Sequence, residues 1–220
     1  AIELAERYSA EGADELVFLD ISATNERRKT MTGLVQRVAA TINIPFTVGG
    51  GITDVDDIRP LLESGADKIS INTAAFKDPE LLSRAADSFG SQCVVLAIDA
   101  KQTDGGWKVF LNGGRVATDI DAAVWAERGV ELGAGEILLT SMNADGTKAG
   151  FENALTRRIS ESVGVPVIAS GGAGSMDDFA EAFAIGKADA ALAASVFHYG
   201  EIAIPELKRF LRMRGIEVRI

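Results

Sequence analysis

The feature that most constrains this chain is an internal duplication. Pro45–Thr53, P-F-T-V-G-G-G-I-T, returns 121 positions later within Pro166–Ser175, P-V-I-A-S-G-G-A-G-S. At that offset Gly50 and Gly51 align with Gly171 and Gly172, Asp56-Asp57 with Asp177-Asp178, and Gly65 with Gly186. Upstream, Ala5-Glu6-Arg7 returns as Ala126-Glu127-Arg128, Gly12-Ala13 as Gly133-Ala134, and Glu15 as Glu136. After one inserted residue, Asp67 matches Asp189 and Thr73 matches Ser195. A repeat of this length means two similar halves, and the fold must be one that two similar halves can build.

Within each half, short apolar runs alternate with segments of helical period. The expected strands are Leu16–Ile21, Phe46–Val48, Lys68–Ile71, Cys93–Ile98, Glu136–Thr140, Val167–Ala169 and Ala190–Ala193. The expected helices are 1–11, one ending near Thr41 after a polar loop Ser22–Thr30, one from Thr53 or Asp54 to Gly65, one opening at Asp78-Pro79-Glu80, then Asp119–Leu132, Glu152–Val163, Met176–Ile185 and Pro205–Met213. Trp107–Leu111, flanked by Asp104-Gly105-Gly106 and Asn112-Gly113-Gly114, reads as a small hairpin inserted between a strand and its helix. Alternation of this kind gives parallel strands with right-handed helical crossovers. Each strand closes on a polar or small residue: Asp20, Gly49, Asn72, Asp99, Thr140, Ser170 and Ala194-Ser195. An open sheet concentrates its ligands at one switch point, so candidate residues after all seven strands favour a closed barrel. The expected fold is therefore an α/β (βα)8 TIM barrel with a half-barrel repeat, a single domain over residues 1–220. The repeat also places the partner of Cys93–Asp99 ahead of Ala1, so an eighth strand is expected N-terminal to this sequence.

Composition narrows the function. A net charge of -10 argues against nucleic acid, whose binders need a basic face, but not against phosphorylated small molecules, which backbone N–H groups can hold. No apolar run is long enough to cross a membrane. The lone cysteine, Cys93, excludes a disulfide framework, fits a reducing cytoplasm and reads as a small core hydrophobe. With one histidine, His198, and no cysteine cluster, no metal site is expected.

Gly49-Gly50-Gly51 and Ser170–Gly174 are turn glycines by their bland reading. Their duplication, each paired with a later strand ending in a small polar residue (Asn72-Thr73; Ala194-Ser195), points instead to two phosphate sites facing each other across the barrel mouth. A substrate with a phosphate at each end fits such a pair. Asp99 and Asp20 are solvated loop carboxylates or acid/base groups, with Asp99 the better candidate. Asp145-Gly146-Thr147-Lys148 lies in a long loop after the strand Glu136–Thr140, either a plain turn or part of the site. Glu15, Lys68 and Glu136 each begin a strand. They face solvent by the bland reading, and otherwise form a charged ring across the barrel bottom.

The stretches A-I-D-A-K (97–101), G-E-I-L-L-T-S (135–141), D-G-T-K-A-G (145–150), A-S-G-G-A-G (169–174) and A-L-A-A-S-V-F-H (191–198) closely resemble the cyclase subunit of imidazole glycerol phosphate synthase, a histidine-pathway barrel. The resemblance runs from Ala1 to Ile220. It implies an enzyme that takes ammonia from a glutaminase subunit docked at the N-terminal barrel face, with no cofactor. The substrate implied is a bisphosphorylated ribulosyl-formimino aminoimidazole carboxamide nucleotide, which is cleaved and cyclised to imidazole glycerol phosphate and aminoimidazole carboxamide ribotide. By this resemblance Asp99 is a catalytic aspartate. Gly51, Asn72 and Thr73 hold one phosphate, and Asp145, Gly146, Gly172, Ala194 and Ser195 the other. Glu15, Lys68 and Glu136 match three residues of an ammonia gate. The family's other catalytic aspartate and its gate arginine belong to the strand expected before Ala1. Two readings stand beside this one: a phosphate- or partner-binding barrel without catalysis, and the sister phosphoribosyl-formimino isomerase.

Overall fold

The computed structural model describes residues 1–19 and 25–219. The first half contains α1 (Ile2–Ala10), β1 (Leu16–Leu19), α2 (Asn25–Ala39), β2 (Phe46–Gly49), α3 (Val55–Glu63), β3 (Lys68–Ile71), α4 (Thr73–Lys77) and α5 (Glu80–Phe89). The second opens with the long strand β4 (Val94–Thr103), on which β5 (Gly106–Leu111) and β6 (Val116–Asp121) double back. It continues through α6 (Ala122–Glu131), β7 (Glu136–Ser141), α7 (Asn153–Ser160), β8 (Val167–Ser170), α8 (Met176–Ala184), β9 (Ala190–Leu192), α9 (Ser195–His198) and α10 (Ile204–Met213). Among the described residues, seven strands run parallel in the order β1-β2-β3-β4-β7-β8-β9, following the chain. With a helix crossing between successive parallel strands, this is the architecture of a (βα)8-type barrel.

Alternation along each strand divides the side chains between two faces. Ile69, Ile71, Leu96, Ile98, Ile137, Leu139 and Val167 are buried in the apolar layer under the helices. Their neighbours in sequence, Lys68, Ser70, Val95, Asp99, Glu136 and Leu138, take the opposite face, which is the barrel interior.

One contact shows how strongly the sheet curls. The Lys68 ammonium hydrogen-bonds Glu15 Oε2 at 2.9 Å and Glu136 Oε1 at 2.6 Å. Glu15 immediately precedes β1 and Glu136 opens β7, four places further along the sheet. Strands spaced about 4.8 Å apart would put those two positions about 19 Å apart in a flat sheet. A glutamate carboxylate stands only about 4–5 Å from its Cα, too short for one lysine nitrogen to touch both. The sheet must therefore wrap around a common axis. The helix layer wraps as well: Arg7 on α1 donates to the Phe197 carbonyl on α9 at 3.0 Å, and Lys208 on α10 donates to Asp14, just before β1, at 2.9 Å.

The duplication is visible bond by bond. The carbonyls of Pro45 and Pro166 accept from Leu16 N and Ile137 N, both at 2.9 Å. Asp67 Oδ2 accepts from Phe46 N at 2.8 Å, and Asp189 Oδ2 from Val167 N at 2.9 Å. Each carboxylate thereby satisfies the N–H that opens the neighbouring strand. α3 and α8 start with the same capping box, Asp54 with Asp57 and Ser175 with Asp178, in which side chains satisfy helix-end N–H groups reciprocally.

Several boundaries differ from the sequence reading. Asn25–Thr30 belongs to α2 rather than to a loop; its glutamate, arginines and lysine are good helix formers, and polarity alone does not mark a loop. Asp119-Ile120 lies in β6, and α6 begins after Asp121, whose side chain caps it by accepting from Ala123 N. The insertion is a three-stranded meander on an extended β4 rather than a hairpin confined to Trp107–Leu111. The short helices α4 and α9 are additions, too brief to carry a periodic signal. Cys93 sits half-buried in a 3-10 turn before β4 rather than in the core, and burial, with the charge of Asp67, pushes its thiol up. Asp20, Ile21 and the start of the Ser22–Thr30 stretch lie outside the described residues.

If the repeat-related carboxylates do the same job, Asp67→Ala and Asp189→Ala each lower stability by about 1 kcal/mol, the usual net worth of one such hydrogen bond. The sites are far apart in the barrel, so the double variant loses the sum. Urea unfolding of the four proteins measures this, and loss at one site only would break the equivalence.

Candidate active site

The parallel strands bring their C-terminal ends to one rim, and the site candidates collect there. β4 carries Asp99 to that rim, in register with Thr140 on β7. On its other side, β3 ends at Asn72, whose Nδ2 donates to Asp99 Oδ2 at 3.0 Å. Burial pushes the Asp99 carboxyl above the ordinary aspartate range; the Asn72 hydrogen bond pulls it part of the way back, and the charge of Asp145 adds to the rise. A carboxyl so poised, held in direction by an amide, is suited to accepting and returning a proton.

On one flank, Gly51 follows β2 while Asn72 and Thr73 follow β3, and these two strands are paired. The Thr73 hydroxyl accepts from Asn112 N at 2.9 Å, so the turn after β5 braces this corner and Thr73 keeps its own O–H to donate. On the other flank, Gly172 follows β8 while Ala194 and Ser195 follow β9, again a paired couple. The two corners share an outline, although ψ at Asn72 and Ala194 differs, at -99° and -66°. Asn72 and Ala194, the residues before α4 and α9, have φ of -117° and -118°, and both pairs of turn glycines have positive φ.

The loop after β7 brings Asp145 and Gly146 against the second corner. Gly150 N donates to the Gly172 carbonyl at 2.9 Å. A Cβ on Gly172 would lie 2.0 Å from the Gly150 carbonyl oxygen, and one on Gly171 would lie 2.9 Å from that of Ser141. Only glycine permits so close a backbone approach. Lys148, in the same loop, clasps Glu201 beyond α9 at 2.5 Å.

Glu15, Lys68 and Glu136 gather at the opposite end of the barrel. Val95 pairs with Glu136 and Asp99 with Thr140, so four residues of strand, about 13 Å, separate the two levels. Burial works against the Lys68 charge, but hydrogen bonds to Glu136 and Glu15 outweigh it and hold the ammonium above the usual lysine range. Glu136 Oε2 is buried without a hydrogen-bond partner among the described residues. The three charges form a linked group rather than separate solvated ends, which corrects the bland reading.

Sequence reasoning missed the Asn72 bond to Asp99 and the brace from Asn112. The first was legible in principle, since Asn72 and Asp99 end adjacent strands. The second rests on a backbone N–H, which leaves no trace in residue type.

Together these features define a class: a parallel α/β barrel built on a half-barrel repeat, with a half-buried carboxylate at its C-terminal rim and an ion-paired lysine at the other end. A family model described as "Histidine biosynthesis protein" matches residues 1–203, and the chain belongs to that family. It is 60% identical over 220 residues to imidazole glycerol phosphate synthase subunit HisF of Geobacillus thermodenitrificans, covering 99% of this chain and 87% of the relative. The same subunit of Flavobacterium johnsoniae is 61% identical, over 100% of this chain and 87% of the relative. That of Bacteroides thetaiotaomicron is 58% identical, over 99% and 87%.

Because burial raises the Asp99 pKa in the folded protein, ionisation costs native stability as pH climbs above the unfolded aspartate value of about 4. Asp99→Asn, which cannot ionise, should gain stability on the parent between pH 3 and pH 7, read from urea midpoints. Asn72→Ala removes the one interaction favouring the Asp99 carboxylate and should move the acid limb of the pH–rate profile to higher pH. An unmoved limb would show that Asp99 does not set it.

Proposed function

We propose that this barrel, acting as one domain over residues 1–220, is the cyclase subunit of an imidazole glycerol phosphate synthase and serves histidine biosynthesis in a cytoplasmic setting. The observation that carries this reading is Asp99, a half-buried, amide-held carboxyl between two repeat-related turns. A bisphosphorylated ribulosyl-formimino aminoimidazole carboxamide nucleotide lies across the rim. One phosphate rests on Gly51, Asn72 and Thr73; the other rests on Gly146, Gly172, Ala194 and Ser195, with Asp145 beside them. Backbone N–H groups and hydroxyls are suited to this task, because they hold phosphate without requiring net positive charge. Anchored at both ends, the nucleotide presents its middle to Asp99. That carboxylate takes up a proton as ammonia adds to the ribulosyl carbonyl and returns one as the carbonyl oxygen leaves as water; the imidazole ring then closes with release of the aminoimidazole carboxamide ribotide. The chemistry calls for nucleophile, proton transfer and positioning, and for no cofactor.

Ammonia is supplied by a partner glutaminase docked on the N-terminal face, and it enters past Glu15, Lys68 and Glu136. The word "subunit" in the relatives' names supports a partner. The ring at the end of the barrel opposite Asp99 supports the choice of face.

Turnover with ammonium salts, bypassing the glutaminase, tests the reading. Asp99→Asn should lower kcat by roughly 100-fold or more with little change in substrate binding; turnover within a few-fold of the parent would remove Asp99 from the role. Lys68→Ala, assayed in the complex, should impair glutamine-driven turnover more than ammonium-driven turnover. Equal losses would make the ring structural only.

A further inference from the structure

The two rim corners are built alike but are held from behind in different ways. In the first half, α6 meets α4 through a ring pair: Phe76 and Trp125 pack edge to face at 5.3 Å. At the repeat-related position of the second half, Phe76 becomes His198 on α9, and the packing helix is α1, the counterpart of α6. There the contact is polar. Tyr8 Oη and His198 Nδ1 share a hydrogen bond, and the two rings stack with centroids 5.7 Å apart. The Arg7 guanidinium lies over the Tyr8 ring at 4.8 Å and donates to the Phe197 carbonyl. Tyr8 has Gly129 as its counterpart and Arg7 has Arg128, which pairs with Glu131 on its own helix. The architecture does not demand the polar pair, since the other half does without it.

We propose that Tyr8 and His198 are positioning residues for the second phosphate corner. This inference rests on the assignment of Ala194 and Ser195 to phosphate in the proposed function. α9 is a single turn carrying Ser195 at one end and His198 at the other, so a bond that fixes His198 fixes the direction of the backbone at Ser195. Val196 between them is fully buried and acts as the pivot. The Tyr8 bond sets the rotation about it. The first corner is seated on the Phe76 and Trp125 rings and braced from the front by the Asn112 bond to Thr73, so it does not depend on Tyr8.

The test is titration of the full chain with inorganic phosphate, read from the amide resonances of Thr73 and Ser195, in the parent and in Tyr8→Phe. The variant keeps the ring and loses only the hydroxyl. Phosphate affinity at Ser195 should fall about five-fold, the worth of one hydrogen bond, with affinity at Thr73 unchanged. In turnover with ammonium salts, KM should rise to a similar extent while kcat stays within about two-fold. His198→Gln, which keeps a hydrogen-bonding group, should recover part of the loss, whereas His198→Phe, the ring of the other half, should match Tyr8→Phe. Should Tyr8→Phe fail to fold, His198→Phe gives the same readout. Equal phosphate affinity at Ser195 in parent and variant would overturn the proposal, as would equal weakening at both corners. No phosphate response at Ser195 in the parent would instead overturn the assignment of that corner.

Discussion

Lys68 touches Glu15 and Glu136 at once, and much of the molecule follows from what that contact requires. The three residues come from positions along the sheet that only strong curvature brings together. A layer built from alternate strands is how a barrel interior fills, and here its lowest layer is charged. Such a group is worth little as an exposed ion pair. With Lys68 and Glu136 largely shut away from water, it instead ties β1, β3 and β7 to one axis.

The same curvature decides what the other end can do. Once the strands converge on an axis, the residues that close them face each other around a mouth. Asp99, on β4, interacts there with Asn72 and Asp145, which follow β3 and β7. Catalysis at that rim gains from groups already in place, because orientation is settled before the substrate arrives. Duplication adds a second economy: one turn design, glycine pair, capping box and short helix, is used at both corners. The corners then diverge only in what holds them from behind.

Much of this was legible in the sequence. The strand order was, since alternating apolar runs and helical segments leave few parallel arrangements. The duplicated glycines and Asp99 were too, because a tight backbone turn and a rim carboxylate both demand particular residue types. For Glu15, Lys68 and Glu136 the residues alone allowed a charged ring but could not decide it against solvent-facing ends, because each is ordinary at a strand start and only curvature makes them neighbours. α4 and α9 are single turns whose residues carry no helical period. The meander after Asp99 was only half visible: Gly105-Gly106 and Asn112-Gly113 mark its turns, but Val116–Asp121 resembles the start of the following helix. The Tyr8 and His198 pair was invisible, since nothing in the sequence joins residues that lie 190 positions apart.

In this reading the duplicated halves grip one molecule by both ends. A crystal structure with a bisphosphorylated substrate analogue tests it most directly. One phosphate is expected at the backbone of Gly51 and Thr73, the other at the backbone of Gly172 and Ser195, and the middle of the analogue within hydrogen-bond reach of Asp99. Both phosphates held by one half, or an analogue lying away from Asp99, would contradict it.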